Sequence, residues 1–361
     1  MKEEFMNRAI KLAKKGIGFV NPHPLAGAVI VKEHSIVGEG FYKAYSSHSA
    51  EIEALNNVPE DLRDGEMYLN IEPFKDKDTF LKAIINSGIK RIYIGMLDPN
   101  PDKEEDVIAL MKSHGIEVKI GVLSEQCQEL NEIYAHYITK HIPFVFTKWA
   151  MTLDGKLASR TGDSKWISSE DSLKFVHHLR QRVAAIMVGE NTVRLDDPLL
   201  TTRLEGVEIS NPLRVILSKY GDLPIHSKVL EVDERTKTLI IASKSILREK
   251  EELLLKKGVQ LLKLEEKDGR IDFKDIIKAL GDMEIDSLYI EGGSAVLASA
   301  FESGIVNKVY AAIAPKIIGG KDAVTPVGGV GIERMRDAIL LKRVTHEIVG
   351  NDVIFKGYIE Y

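Results

Sequence analysis

The chain has 361 residues, too many for one ordinary core, so two domains are expected; its 44% hydrophobic and 29% charged composition is that of a soluble globular protein. A formal net charge of -5 leaves no basic excess to neutralise phosphates, which argues against a nucleic-acid partner. The single cysteine excludes a disulfide framework and suits a reducing cytoplasm, and the start, with acids at Glu3 and Glu4 and no long apolar run, predicts neither a signal peptide nor a membrane span.

Residues 5–15 carry apolar positions at helical spacing and stop at Gly16. Residues 26–31, a turn from Lys32 to Ser35, and residues 36–38 read as a β-hairpin. A helix begins over Glu51 to Leu55 and a strand runs from Met67 to Ile71. Helix 79–86, strand 90–96, helix 104–114 and strand 116–122 continue the alternation, and a last helix over 124–140 ends before Pro143. This predicts a self-contained domain over 1–143. The second half opens with strand 144–150. Helix 169–182 follows, with Ser168 or Ser169 as N-cap and acids in its first turn. Strand 184–188 ends in a loop at Gly189. Strands 213–217, 237–242 and 286–290 alternate with helices 245–257 and 272–280. Ser287 to Ile290 runs straight into Glu291-Gly292-Gly293-Ser294, where the next helix starts. Residues 144–361 therefore predict a second open α/β sheet with helices on both faces.

Two segments of the first half look like a zinc site without its ligands. A zinc deaminase needs a His or Cys before a general-acid/base Glu, then two thiolates downstream. Here Ser49-Ala50-Glu51 keeps the Glu and Glu72-Pro73-Phe74 keeps the turn, but Phe74 stands where the first thiolate belongs. Cys127 lies far away in a helical stretch and reads as a small buried hydrophobe. Glu51 alone cannot generate hydroxide, since it is the metal that lowers the pKa of the attacking water. His48 with Asp76 or Asp78 would make an unusual ligand set.

In the second half the candidates gather at strand ends. The Gly292-Gly293-Ser294 turn lets backbone N–H groups approach a phosphate at a helix N-terminus, and Glu291 points into the same crevice. Taken alone such a turn is as readily a plain βα connection. Ser164 and Trp166 sit in a loop, Arg180 on the following helix, and Thr192, Asp196, Asp197 and Arg203 come next. Arginines and a serine suit a phosphate, and Trp166 offers a flat face to a ring.

In company these residues resemble the bifunctional deaminase/reductase family of riboflavin biosynthesis, over nearly the whole chain. The first domain is similar in Pro22-x-Pro24-x-x-Gly27-Ala28-Val29-Ile30-Val31, Ala50-Glu51-x-x-Ala54-Leu55, Glu72-Pro73 and Asp98-Pro99-Asn100-Pro101. The second is similar in Leu153-Asp154-Gly155-Lys156, Ser164-x-Trp166-Ile167, Leu179-Arg180, Val188-Gly189-x-x-Thr192-Val193, Asp197-Pro198-x-Leu200-Thr201-x-Arg203 and Glu291-Gly292-Gly293. The departures concentrate in the first domain. The family's zinc His becomes Ser49, its first zinc Cys becomes Phe74, and the loop with the second Cys is shortened around Lys75 to Thr79. His23 and Tyr42 replace an Asn and a His. In the second domain Ser218-Lys219 stands where the family has an Asp-Ser pair, with Lys219 read as a surface side chain and a place facing a cofactor phosphate as the alternative.

The resemblance implies a cytidine-deaminase-like three-layer α/β domain followed by a dihydrofolate-reductase-like α/β domain that binds NADPH. It implies reduction of 5-amino-6-(5-phosphoribosylamino)uracil, a small phosphorylated pyrimidine, to its ribityl form. Ser164, Arg180, Leu200, Arg203 and Glu291 would surround the substrate. Ala150, Trp166, Thr192, Asp196 and the turn Gly293, Ser294, Ala295, Val296, Leu297, Ala298 and Ser299 would line the cofactor. Asp154 and Lys156 are the candidate catalytic neighbours, and Glu51 is a relict deaminase Glu. With its ligands gone, no zinc is expected. A cytoplasmic homo-oligomer without nucleic-acid or membrane partners completes the expectation. Three alternatives stay open: a full bifunctional enzyme with an atypical metal site, a reductase of the same fold acting on a pterin or another ring, and a non-catalytic scaffold.

Overall fold

The computed structural model describes residues 2–56, 58, 62–103 and 106–361, which divide into two compact units, Met1–His141 and Ile142–Tyr361. In the first unit, α1 (Lys2–Ala13) presents Phe5, Met6, Ala9, Ile10 and Leu12 to the core, the apolar stripe its sequence spacing calls for. It lies against β1 (Gly27–Lys32) so closely that a Cβ on Gly27 would come within 2.1 Å of Ala9 O, so only glycine fits there. β2 (Ser35–Phe41), α2 (Ala50–Leu55), β3 (Glu66–Ile71), α3 (Lys77–Ser87), β4 (Arg91–Met96), α4 (Val107–Ser113) and β5 (Glu117–Ile120) follow. The sheet order is β2-β1-β3-β4-β5, antiparallel around β1 and parallel from β3 to β5. Positions 104 and 105, where a helix start is predicted, lie outside the described residues. The single helix predicted over 124–140 is two, α5 (Ser124–Leu130) and α6 (Glu132–Lys140). The break is at Asn131, which is buried and whose side chain accepts from Leu25 N–H at 2.8 Å and donates to Leu25 O at 3.1 Å. A long-range bond to another segment overrides the helical periodicity there.

The second unit begins with β6 (Phe144–Thr152) and α7 (Glu170–Arg182). Ser169 is the N-cap of α7, accepting from Ser172 N–H, and Asp352 accepts from both Ser169 and Ser172 hydroxyls at 2.9 and 2.6 Å. The remaining elements are β7 (Ala185–Gly189), α8 (Glu190–Asp196), β8 (Leu213–Leu217), β9 (Thr238–Ser243), α9 (Arg248–Lys256), β10 (Gln260–Leu264) and the small hairpin β11 (Glu266–Lys267) and β12 (Arg270–Ile271). After it come α10 (Phe273–Asp282), β13 (Ser287–Ile290), α11 (Ser294–Glu302), β14 (Lys308–Ala314), β15 (Lys342–Val349) and β16 (Asp352–Tyr358). The sheet runs β10-β9-β8-β7-β13-β6-β14-β16-β15, parallel as far as β14, with β16 and β15 antiparallel at one edge. The parallel strands are buried on both faces and read as continuous apolar runs, as in Ala185-Ile186-Met187-Val188. From β7 the chain moves outward to β8, whereas from β13 it moves the other way to β14. The switch point between β7 and β13 opens a crevice at the carboxyl ends of these strands. Both units are α/β, as the alternation of elements predicts. Among the described residues, no helix is long and apolar enough to cross a membrane.

Candidate functional site

A cavity of about 1200 Å³ occupies the switch-point crevice of the second unit. Arg180, from α7, reaches its floor and is held there by a two-pronged bond to Glu291. Its Nε donates to Oε2 at 2.7 Å, its Nη2 donates to Oε1, and its Nη1 donates to Thr201 O at 2.8 Å. Fully bonded in this way, the guanidinium fixes the Glu291 carboxylate at the end of β13. Register carries the next contact. Ile290 pairs with Thr147, so Glu291 emerges beside Lys148 of β6. Lys148 is 6% exposed and lines the cavity. Burial pulls its ammonium down to about 8, against the opposing pull of Glu291 and Asp352. Tyr289 shares the cavity wall, and its buried hydroxyl has no hydrogen-bond partner among the described residues. His177 accepts from Arg203 N–H through Nδ1 at 3.2 Å. Burial, then Arg180 and Arg203, hold that imidazole down at about 4, so it is neutral.

The rest of the cavity is built from backbone turns. Gly292 and Gly293 have φ values of 146° and 85°, a conformation that glycine adopts without strain, and they open α11. A Cβ on Gly293 would come within 3.3 Å of Thr192 Oγ1, so the turn after β13 packs directly on α8. Ser164, Trp166, Ala150, Asp196 and the residues Ser294, Ala295, Val296 and Leu297 line the same cavity, as do Arg203 and Lys219. The loop Asp197-Pro198 is anchored from below by the fully buried Arg214, which donates to Leu199 O, Lys228 O and Glu231 O.

Five of the sequence-predicted residues lie elsewhere. Asp154 ties the loop after β6 to the 318–319 segment, accepting from Thr152 Oγ1 at 2.6 Å and from the N–H groups of Ile318 and Gly319. These bonds hold its carboxyl down at about 2, so at neutral pH it has no proton to give. Asp154 and Lys156 are outside the cavity lining, as are the buried Leu200 and residues Ala298 and Ser299 of α11; Ala298 faces a separate apolar groove with Trp149 and Phe301. Sequence reading missed Lys148, His177 and Tyr289. The one signal for Lys148 was a cation inside the otherwise apolar run Phe144 to Ala150.

In the first unit, Glu51 lies in the first turn of α2 and is 1% exposed. Burial, reinforced by Asp76, pushes its carboxyl up to about 7, and its Oε2 has no hydrogen-bond partner among the described residues. Ser49 Oγ, beside it, has none either, and Ser49 N–H donates to Asp76. Phe74 sits in an aromatic group with His23 and Tyr42, ring centroids 5.6 and 5.5 Å away, and Tyr45 stacks on His23 at 4.4 Å. His23 Nδ1 is 2.8 Å from the Tyr42 hydroxyl. A hydroxyl, a phenyl ring and an imidazole engaged by a phenol do not make the thiolate and imidazole set that a zinc deaminase uses. Cys127 is buried under β4, its thiol pushed up to about 12 by burial. Glu72 keeps a structural task, accepting from Asp98 N–H at 2.9 Å and from Lys103 at 3.1 Å, while Tyr134 donates to Asp98.

Both units have relatives. Residues 143–355 match the family model of the RibD C-terminal domain, and residues 1–96 match that of the cytidine and deoxycytidylate deaminase zinc-binding region. The chain is 39% identical to the riboflavin biosynthesis protein RibD of Actinobacillus pleuropneumoniae, over 97% of this chain and 93% of that one. The chain belongs to the RibD family. A second RibD, from Aquifex aeolicus, is also 39% identical, over 99% of this chain and 98% of the other. The crystal structure of a diaminohydroxyphosphoribosylaminopyrimidine deaminase/5-amino-6-(5-phosphoribosylamino)uracil reductase from Thermotoga maritima superimposes with a TM-score of 0.85 at 34% identity, covering 99% of both chains. This RibD-family chain is therefore an enzyme of riboflavin biosynthesis with a deaminase-like first domain and a reductase second domain.

Proposed function

We propose that this chain reduces 5-amino-6-(5-phosphoribosylamino)uracil to its ribitylamino phosphate with NADPH, and that its first domain is a relict that binds no zinc and deaminates nothing. The observation that carries the first part is the convergence of Lys148, Arg180 and Glu291 at one end of a cavity whose other wall is the glycine turn opening α11. Opening of the ribose ring leaves a C=N bond; adding hydride to its carbon and a proton to its nitrogen completes the reduction. NADPH, when bound, supplies the hydride. Lys148, midway along β6, and Glu291, just past the end of β13, lie side by side and supply and hold the proton at the nitrogen. Arg180 acts as a positioning residue for Glu291. Arg203 and Ser164, both exposed at the cavity wall, are the groups free to take the substrate phosphate. The walls exclude water from the reacting carbon and hold it against the hydride donor. NADPH oxidation by the purified protein tests this. The phosphorylated compound should be reduced and its dephosphorylated form should be turned over far less well; equal turnover would remove Arg203 and Ser164 from the phosphate site.

The second part rests on donor chemistry at Ser49, Glu51 and Phe74, where an oxygen and a phenyl ring stand in place of the thiolate and imidazole set. A reducing cytoplasmic setting suits the unpaired, buried Cys127. A homodimer is also proposed, through the surface around β15. That edge strand is exposed over almost its whole length, and Ile317, Val330, Met335, Leu340 and Ile348 are each more than 70% exposed nearby in sequence. An open strand edge beside apolar side chains is satisfied by a second copy across a two-fold axis, the same patch meeting itself.

A further inference from the structure

Tyr289 is fully buried, lines the cavity, and spends none of its hydroxyl's hydrogen bonds on the described residues. Its place follows from the sheet. Side chains alternate along a strand, and Glu291 N–H still donates to Met187 O, so Tyr289 and Glu291 rise on the same face. Register sets Tyr289 between Ile186 of β7 and Phe146 of β6, and the Phe146 ring stacks on it with centroids 5.3 Å apart. The ring is therefore fixed, one same-face step before the carboxylate at the cavity floor. Its hydroxyl ends within the field of both Glu291 and Arg180. Burial, then Glu291, holds the phenol well above its usual range against the pull of Arg180. It keeps its proton and stands ready as a donor.

Its neighbours at this end are already committed. Arg180 is bonded to Glu291 and Thr201 O, and His177 accepts from Arg203 N–H. A buried hydroxyl that the fold leaves unpaired costs stability, and native interiors pair nearly all such groups. In a binding site the missing partner comes with the substrate, and a site built to bond a substrate hydroxyl rejects the analogue that lacks it. We infer that Tyr289 donates to the hydroxyl next to the reacting carbon of the opened ribose chain and so selects a ribosyl over a 2′-deoxyribosyl substrate, an inference that rests on the reductase reading. With the C=N nitrogen at Lys148 and Glu291, that hydroxyl is the polar group of the opened chain nearest to the nitrogen, as Tyr289 is the residue one step from Glu291 on the same face.

Steady-state kinetics of the full chain with the ribosyl substrate and its 2′-deoxyribosyl analogue, joined to melting curves without ligand, test this. The wild type should favour the ribosyl compound by about tenfold or more in kcat/KM, the scale of leaving a buried hydroxyl unpaired. Tyr289→Phe should turn over the ribosyl compound less well and bring the two compounds within about twofold of each other. The same variant should melt roughly 2–4 °C higher, because the unpaired hydroxyl is gone. A hydroxyl with a structural task would instead lower the melting temperature on removal, and one paired with an internal water would leave it unchanged. Either of those results, or a ribosyl preference that survives the substitution, would overturn the assignment. A wild type that reduces neither compound would overturn the reductase reading itself, and the role of Tyr289 with it.

Discussion

Lys148 and Glu51 are both ionisable side chains enclosed by apolar elements, and burial drives them in opposite directions, the amine down to about 8 and the carboxyl up to about 7. Each moves toward its neutral form because water no longer solvates the charge. In Lys148 the shift brings the proton within reach of chemistry. The group is charged well below 8 and loses its proton as pH rises through that value, so kcat should fall above about 8. Lys148→Met should lower kcat by roughly 10²- to 10⁴-fold and abolish that limb; a pH–rate profile unchanged by the substitution would exclude Lys148 as the proton source. In Glu51 the shift bears on stability. Its folded pKa, about 7, lies above the ordinary 4.5, so the native state binds its proton more tightly. Stability from this group is full below 4.5 and is lost as pH rises through about 7. Glu51→Gln should therefore leave the melting temperature almost unchanged at low pH. Well above 7 it should stabilise the fold and raise the melting temperature, by a free energy of about 3 kcal/mol. A Gln variant equally or less stable at high pH would mean that Glu51 is solvated or paired.

Among the elements, the turn between β13 and α11 bears most on function. Both its glycines have positive φ values, and at Gly293 the approach of Thr192 also leaves little room for a side chain. Gly293→Val should weaken NADPH binding at least about tenfold while costing the fold about 1–3 kcal/mol, measured as nucleotide affinity against thermal stability; unaltered affinity would place the pyrophosphate elsewhere. This turn was legible in the sequence because a short apolar strand, Ser287 to Ile290, meets two glycines with nothing between but Glu291. The N-cap at Ser169 was legible for similar local reasons. α8 was not, since Glu190 to Asp196 is too short to show a helical period, and Gly189 reads as a loop. The split at Asn131 was hidden because its cause, the backbone of Leu25, lies 106 residues away. Lys148 was missed for the same kind of reason. Its partners Glu291, Arg180 and Asp352 come from three distant segments, and only the sheet register assembles them. Asp154 shows the converse: a motif residue, read from the sequence as a catalytic neighbour, that ties two loops together.

On the scale of the whole molecule, the second unit carries a polar cavity and an open edge, and the first is deaminase-like, with Glu51 buried beside Ser49. The open edge gives one expectation. Wild-type protein should sediment as a dimer, and Leu340→Glu with Ile348→Lys should give a monomer that still binds NADPH; a monomeric wild type would exclude the β15 surface as a subunit contact. The division of labour between the units is tested most directly by following NADPH oxidation in parallel with the deaminated ribosylaminouracil phosphate and with its undeaminated precursor. Oxidation with the deaminated compound alone is expected, which makes this a reductase joined to a relict domain. Oxidation with the precursor as well, accompanied by release of ammonia, would contradict it and return the site around Glu51 to catalysis.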